Sequence, residues 1–233
     1  MGEAEIGRYL SSLATNSHVS ASTQNRALNA ILFLYRQVLR KEIGFVNGVV
    51  RASTPRKLPV ELTRQEVKSI LAVLSNSDWL MVMLLHRAGL RLMECLQLRV
   101  KDLDFSNNQI VVRRGKGDKD RHTMLPASAK ESLGKHLDLV RKQHQADLER
   151  GLGRVALPNA LERKYPSAGK ERGWQWAFPA TSRYTDSATG EKRRHHIHES
   201  VLQKAVKEAT RKAGLAKPPR VPIHFVSLSL PIR

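Results

Sequence analysis

Two hydrophobic periods follow one another along these 233 residues, and their order limits what the chain can fold into. Up to Asp102 the apolar residues recur at three- and four-residue intervals, the spacing of helices with one buried face. From Leu103 to Leu125 they alternate, which is the spacing of strands. Beyond Ser128 the helical interval returns. The strands are thus gathered between helices, which is the pattern of an α+β fold with a small antiparallel three-stranded sheet.

Ile6, Leu10 and Leu13 predict a short helix over Glu3 to Leu13, broken by His18 to Ser22. A longer helix follows from about Ser22 to Arg40, with Ala27, Leu28, Ile31, Leu32, Leu34, Tyr35 and Leu39 as a broad apolar face. Two helices are a poor domain by themselves, so residues 1–50 read as part of a helical domain. Residues 51–59 form a basic, proline-punctuated linker, in which Arg56 and Lys57 either follow a phosphate backbone or are simply solvated. The remainder, residues 60–219, reads as a second domain, followed by a tail over 220–233.

Thr63 and Glu66 have the spacing of a capping box that opens a helix to about Ser75. A second, apolar helix spans Asp78 to Arg87 and stops at Ala88-Gly89, and a third starts near Arg91. Asn107-Asn108 turns a hairpin between Leu103–Phe105 and Ile110–Val112; residues 115–120 make a second turn into a strand from Arg121 to Leu125. Ser128 and Glu131 look like another capping box, opening a helix to about Arg150. A short helix over Asn159 to Lys164 and a strong one over Glu199 to Ala213 complete the expectation.

Charge narrows the function. Forty Lys and Arg against 21 Asp and Glu leave +19, an excess that calls for a polyanion such as nucleic acid or an anionic membrane surface. The longest apolar run, Trp79 to Leu85, is too short to span a bilayer, and Met1 to Glu5 has no signal-peptide character. A cytoplasmic, nucleic-acid-binding protein is the expectation. The single cysteine, Cys95, excludes a disulfide framework and a Cys-rich zinc site.

Three clusters carry possible chemistry. Gly115-Lys116-Gly117 lies between strands, so it is not a Walker loop; Lys116 is a proton donor, a phosphate clamp or an ordinary exposed turn residue. His195, His196 and His198 resemble metal ligands in type, but adjacent histidines should diverge, and Lys192, Arg193 and Arg194 would repel a cation. Nucleic-acid contact or a helix N-terminus fits them better. Trp174, Trp176 and Phe178 alternate as on a strand, either one lining the core or a stacking platform for unpaired bases. No nucleophile elbow, zincin motif or dinucleotide fingerprint occurs.

The run Arg87 to Asp104, with Ala88-Gly89-Leu90-Arg91 and Glu94, resembles the box around the first catalytic arginine of tyrosine recombinases. Residues 115–121 resemble that family's hairpin lysine loop. Residues 160–179 with their tryptophans, Arg194 to Ser200, and Val19 to Asn25 are similar to the integron integrases within it. The resemblance implies a helical core-binding domain and an α+β catalytic domain that clamp DNA, with no metal or other cofactor. In such enzymes a tyrosine attacks the scissile phosphate, two arginines stabilise the phosphorane and a lysine protonates the leaving 5′-oxygen. By position Arg91 is the first arginine and Lys116 the lysine. Trp174 and Trp176 become candidates for stacking on bases extruded from a folded single-stranded site. Arg56, Lys57, Arg193, Arg194, His195 and His196 become DNA contacts. Duplex DNA, folded single-stranded recombination sites and further integrase protomers are the implied partners, in a bacterial cytoplasm.

The pattern departs after Pro219. The family continues with a His-x-x-Arg helix, a Gly-His and the nucleophilic tyrosine, whereas residues 220–233 contain no His-x-x-Arg and no tyrosine follows Tyr184. Tyr9, Tyr35 and Tyr165 lie further upstream. The expectation is an integrase-type chain truncated at both ends, binding DNA without cleaving it; a non-catalytic regulator and a non-functional remnant are the alternatives. The tail also reads as a frameshift product. One choice of codons for Pro222 to Ile232, read from the third base, gives His-Thr-Phe-Arg-Gln-Ser-Phe-Ala-Thr-His, which restores the missing motif.

The charge yields a measurable consequence. Each phosphate neutralised contributes a log–log salt slope of about −0.9 on duplex and about −0.7 on single strands. DNA affinity should therefore fall steeply between about 50 and 200 mM salt, and a flat response would remove nucleic acid as the partner.

Overall fold

The computed structural model describes residues 2–44, 46–52, 62–113, 119–158, 161–187 and 189–215. Arg56, Lys57, Lys116 and the tail over 220–233 lie outside the described residues. The chain divides into two compact units, residues 1–58 and 59–233.

The first unit pairs α1 (Glu3–Thr15) with α2 (Ala21–Phe33). Ile6 and Leu10 of α1 are buried, the stripe its periodicity predicts. Ser20 caps α2 by accepting from the Thr23 amide. The buried Gln24 rivets the unit. Its side-chain amide donates to the carbonyls of Leu10 and Val50, each at 2.8 Å, and its oxygen accepts from the Ala52 amide at 2.9 Å.

The second helix is shorter than its sequence period predicts. It gives way after Phe33 to a wider π-helical turn over Leu34–Val38, and Arg40 beyond has φ +49°. Such a turn changes the angular step per residue, so the apolar stripe does not continue, and Phe33, Leu34, Val38 and Leu39 are exposed.

The second unit is organised on α4 (Asn76–Arg87), whose Leu80 to Leu85 are all buried. A helix apolar on every side belongs in the middle of a fold. Around it pack α3 (Arg64–Val73), α5 (Leu92–Leu96), α6 (Ala127–Glu149) and α8 (Glu199–Lys212). The expected Thr63–Glu66 capping box is formed at α3, with Oε2 of Glu66 accepting from the Thr63 amide at 2.7 Å. Gly89, at φ +63°, ends α4 in the left-handed conformation that other residues resist.

The three-stranded antiparallel sheet is present in the order β1 (Leu103–Asp104), β2 (Gln109–Val112) and β3 (Arg121–Met124). Its register sets Leu103 against Ile110 and Val112 against Arg121. Leu103, Ile110 and Val112 turn into the core. After α6 come α7 (Leu161–Lys164) and a second antiparallel pair, β4 (Pro179–Thr185) and β5 (Lys192–His196).

Two sequence expectations need correcting, and one element was not anticipated. The Ser128–Glu131 capping box is not formed, because α6 starts two residues earlier with Pro126 as its N-cap. The Ser128 hydroxyl lies instead 3.9 Å from the sulfur of Met83. Trp174, Trp176 and Phe178 are not a strand: Trp174 closes a 3₁₀ turn over Arg172–Trp174, and Trp176 makes a single bridge to Arg99. The β4–β5 hairpin was not expected, since β4 has no buried residue to give it a period.

Ion pairs hold this hairpin. Asp147, buried near the end of α6, accepts from Arg194 Nη2 at 2.6 Å and from Arg194 Nε at 3.1 Å, and it also pairs with Arg183. Arg194 Nη1 reaches the carbonyls of Ala180 and Thr181 at 2.7 and 2.8 Å. Asp147→Asn would leave Arg194 buried without its counter-charge, a change that costs roughly 3–5 kcal/mol when one partner of a buried pair is removed. Denaturant unfolding of the variant should show a loss of that size; stability within about 0.5 kcal/mol of wild type, the ordinary surface range, would contradict the structural role.

Candidate functional site

An open cleft of about 540 Å³ in the second unit brings together Arg91, Glu94, Arg99, Asp102, Arg113, Trp174 and Trp176. Three of these residues were candidates far apart in sequence, Arg91 and the tryptophan pair Trp174 and Trp176. The link between them is a short stretch of paired backbone. Val100 donates to the Gln175 carbonyl at 2.9 Å, and Ala177 donates to the Leu98 carbonyl at 2.8 Å. Gln175 secures its own segment, its buried amide lying 3.1–3.2 Å from the carbonyls of Gly153, Gly169 and Glu171. Gly169 is required here, since a Cβ would meet the Val155 carbonyl oxygen at 2.9 Å.

Arg91 is the N-cap of α5. Its Nη1 donates to Glu94 Oε1 at 2.6 Å, and its backbone amide donates to Glu94 Oε2 at 2.8 Å. Its side chain is 39% exposed, against 8% for Glu94. Arg121 at the start of β3 supplies Glu94 with a second guanidinium at 2.7 Å. Burial works against ionisation of Glu94, but the hydrogen bonds from Arg91 and Arg121 outweigh it and hold the carboxyl below its usual range.

The same arrangement recurs eight residues on. Asp102 accepts from the Arg99 amide at 3.0 Å and from Arg113 Nε at 2.7 Å. Arg99 itself is buried: Nη1 and Nη2 donate to the carbonyls of Trp174 and Ala156 at 2.6 and 3.0 Å. Its guanidinium lies 3.3 Å over the Trp176 ring. Burial pulls Arg99 down to about 10, against the attraction of Asp102, so it remains a cation at neutral pH. Lys101 Nζ lies 2.9 Å over the ring of Trp174, and burial, followed by repulsion from Arg113, lowers its pKa. Both tryptophans thus carry a cation on the ring.

The remaining predicted site residues are placed differently from one another. Arg193 and Arg194 were expected to face DNA, but their side chains are 4% and 8% exposed. Arg193 is surrounded by Glu162, Asp186 and Glu191 at 2.6, 3.3 and 3.0 Å, and Arg194 is taken by Asp147. Both guanidiniums serve the fold. His195 is exposed and His196 is buried, yet their rings lie 4.0 Å apart. Their burial alternates as expected of neighbouring strand residues, while the rings remain in contact. The Trp176 ring is 5.7 Å from His195 and 5.2 Å from His196. His198 is the N-cap of α8 and accepts from the Ser200 amide, as one of its sequence readings has it. Among the described residues no three His, Cys, Asp or Glu side chains are grouped to hold a metal ion, and no helix is long and apolar enough to cross a membrane. Cys95 is fully buried, and burial pushes its thiol far above the ordinary range, so it is no nucleophile.

Glu94, Arg99, Asp102, Arg113 and Arg121 were missed as candidates. Glu94, Arg99 and Asp102 carried a signal in the repeated Arg-x-x-acid spacing at 91–94 and 99–102, which is a cap geometry as much as a charge pattern, whereas Arg113 and Arg121 carried none in the neighbouring sequence.

Comparison with known proteins resolves the family. The profile of the phage integrase family matches residues 61–225, and that of the phage integrase N-terminal SAM-like domain matches residues 1–45. The chain belongs to the phage integrase family, the tyrosine recombinases. Proteins named integrase/recombinase from Escherichia coli and Pseudomonas aeruginosa are 44% identical over 218 residues, 94% of this chain and 65% of theirs. The chain thus spans just under two thirds of the length of these curated relatives. The tyrosine recombinase XerA of Thermococcus kodakarensis is 36% identical over 137 residues, 56% of this chain and 46% of that protein. In fold, the chain is similar to the XerH site-specific recombinase in a pre-cleavage complex with difH substrate. That likeness has a TM-score of 0.56 at 20% identity and covers 94% of this chain and 56% of the other.

The depressed Glu94 titration fixes the sign of an acid effect. A carboxyl whose folded value is lowered contributes its full stabilisation above the unfolded value of about 4.3 and loses it as the pH falls through the folded value. Unfolding of the recombinase chain should therefore set in below about pH 4, and the Glu94→Gln variant should show a shallower dependence there. Identical acid profiles for the two proteins would show that Glu94 is not held ionised by its arginines.

Proposed function

We propose that this chain binds DNA as an integron-integrase-type member of its family and does not itself cut a strand. The cleft carries the reading. It presents a part-exposed guanidinium, Arg91, and an aromatic ring, Trp174, in one cleft, and among the described residues no tyrosine lines it. A phosphate at Arg91 would be neutralised there, as charge on a phosphoryl group is in its transfer. Lys116 is proposed as the proton donor to the leaving 5′-oxygen in the complete reaction.

The tyrosines support the second half of the proposal. Tyr165 follows α7 and is exposed. Tyr184 stands on β4, its ring 6.0 Å from that of His195, and burial raises its phenol above the ordinary value. Neither lines the Arg91 cleft. Tyr9 and Tyr35 belong to the helical unit.

Trp174 is the proposed stacking platform for an unpaired base. It is partly exposed, and the exposed Lys101, whose ammonium lies over its ring, is a cation that a nucleotide's own phosphate would attract. Trp176, 8% exposed beneath Arg99, serves as the wall of that platform. Arg56 and Lys57 add charge that would follow the backbone, and His195 offers an exposed ring at the edge of the aromatic group. Duplex DNA and folded single-stranded sites are the proposed ligands, and other integrase protomers are the proposed protein partners, in a bacterial cytoplasm.

A suicide substrate that traps phosphotyrosine separates the two halves. The expected result is a salt-sensitive complex with hairpin-folded DNA and no covalent adduct. Trp174→Ala should lose about 1–3 kcal/mol per stacked base on hairpin DNA with unpaired bases, while plain duplex binding stays unchanged. An adduct mapped to Tyr165 or Tyr184 would overturn the claim of no cleavage, and equal loss on both DNAs would overturn the stacking role.

A further inference from the structure

Glu94 faces two guanidiniums at once. Arg91 Nη1 takes Oε1 at 2.6 Å, while Oε2 accepts from the Arg91 amide at 2.8 Å and from Arg121 Nη2 at 2.7 Å. Arg121 Nη2 is itself steadied by the Gly89 carbonyl at 3.3 Å, on the turn that leads into Arg91. The carboxylate is buried while both arginine side chains are more than one-third exposed. One negative charge shared between two positive ones leaves the group with a single excess positive charge, directed toward the open side.

We infer that Arg121 is a positioning residue for Arg91, acting through Glu94 to fix that guanidinium in place and to keep it net cationic toward a phosphate. Without Arg121, Glu94 would be answered by Arg91 alone. The pair would then be neutral overall, and Glu94 would lose the second guanidinium that shares its charge with Arg91. The second carboxylate of the segment follows the same plan, since Asp102 holds the Arg99 amide and Arg113 Nε. Arg113 directly follows β2, and Arg121 opens β3 opposite Val112. Both strand ends of the hairpin are therefore fastened to the stretch that presents Arg91. Arg121 touches no reacting atom in this scheme, and its effect is transmitted wholly by Glu94.

The inference rests on the reading of Arg91 as a phosphate ligand, and the test separates the two. The full chain is titrated with inorganic phosphate while the arginine Nε–H resonances are followed by NMR. In the wild type, Arg91 and Arg121 should shift with one common midpoint. Arg121→Gln should weaken the phosphate response at Arg91 by on the order of tenfold, the weight of one charged hydrogen bond, and Arg121→Lys, which retains the charge, should recover most of it. In an Arg91→Ala background the Arg121→Gln change should have no further effect on phosphate affinity. No response of Arg91 in the wild type would overturn the phosphate reading itself. A response at Arg91 that is unchanged in Arg121→Gln would leave that reading standing and overturn the positioning role. Should Arg121→Gln fail to fold, the wild-type titration still decides: an Arg91 shift with Arg121 unmoved rejects the coupling.

Discussion

A buried guanidinium needs both its charge and its N–H groups answered on the spot, because neither can be left facing apolar surroundings. Arg99, Arg193 and Arg194 are all buried in the second unit, and each gathers distant segments to satisfy that demand. Arg99 draws in the carbonyls of Ala156 and Trp174 and covers Trp176. Arg194 brings α6 to β4 through Asp147, Ala180 and Thr181. Residues 151–198 have only a sparse hydrophobic period of their own, and this polar framework supplies what a larger apolar stripe supplies elsewhere.

The same fact explains where sequence reading succeeded. Leu80 to Leu85 and the alternation from Leu103 to Val112 announce α4 and the three-stranded sheet, because burial in those places is apolar and therefore periodic. Thr63 with Glu66 announces α3 through a local contact. Ser128 with Glu131 has the same spacing and fails, since Pro126 already occupies the cap and the spacing alone cannot report it. The β4–β5 hairpin is held by charges whose partners lie on other elements, and long-range pairing leaves no mark on neighbouring letters. At the site, Arg91 was legible from the motif around it. Arg113 and Arg121 were not, because their meaning depends on carboxylates that the hairpin brings to them.

Net charge, likewise, says less about an interface than it suggests. Of the basic residues singled out for DNA, Arg193 and Arg194 are consumed inside the fold, whereas Arg91, assigned a catalytic role, keeps an open side. A surplus of cations can be a structural material as much as a ligand surface, and the distinction rests on where the acids are. In this chain Glu94 is shared by the guanidiniums of Arg91 and Arg121, and Asp102 answers that of Arg113, so the cleft's arginines are supported while Arg91 keeps its exposed side.

The Asp147 junction has a consequence for inheritance. Arg194 and Arg183 both lean on that one carboxylate, and residues joined in one ionic network do not change independently. A lineage that replaced Asp147 first would carry stranded positive charge until the arginines changed too, while one that lost Arg194 first would strand the acid beside Arg183 alone. Single steps at Asp147 and Arg194 therefore carry a cost that a change at Arg183 alone, which leaves Asp147 paired with Arg194, does not. Neutral drift at those two is open as a coordinated exchange, such as the swap of the whole group for apolar side chains of similar volume.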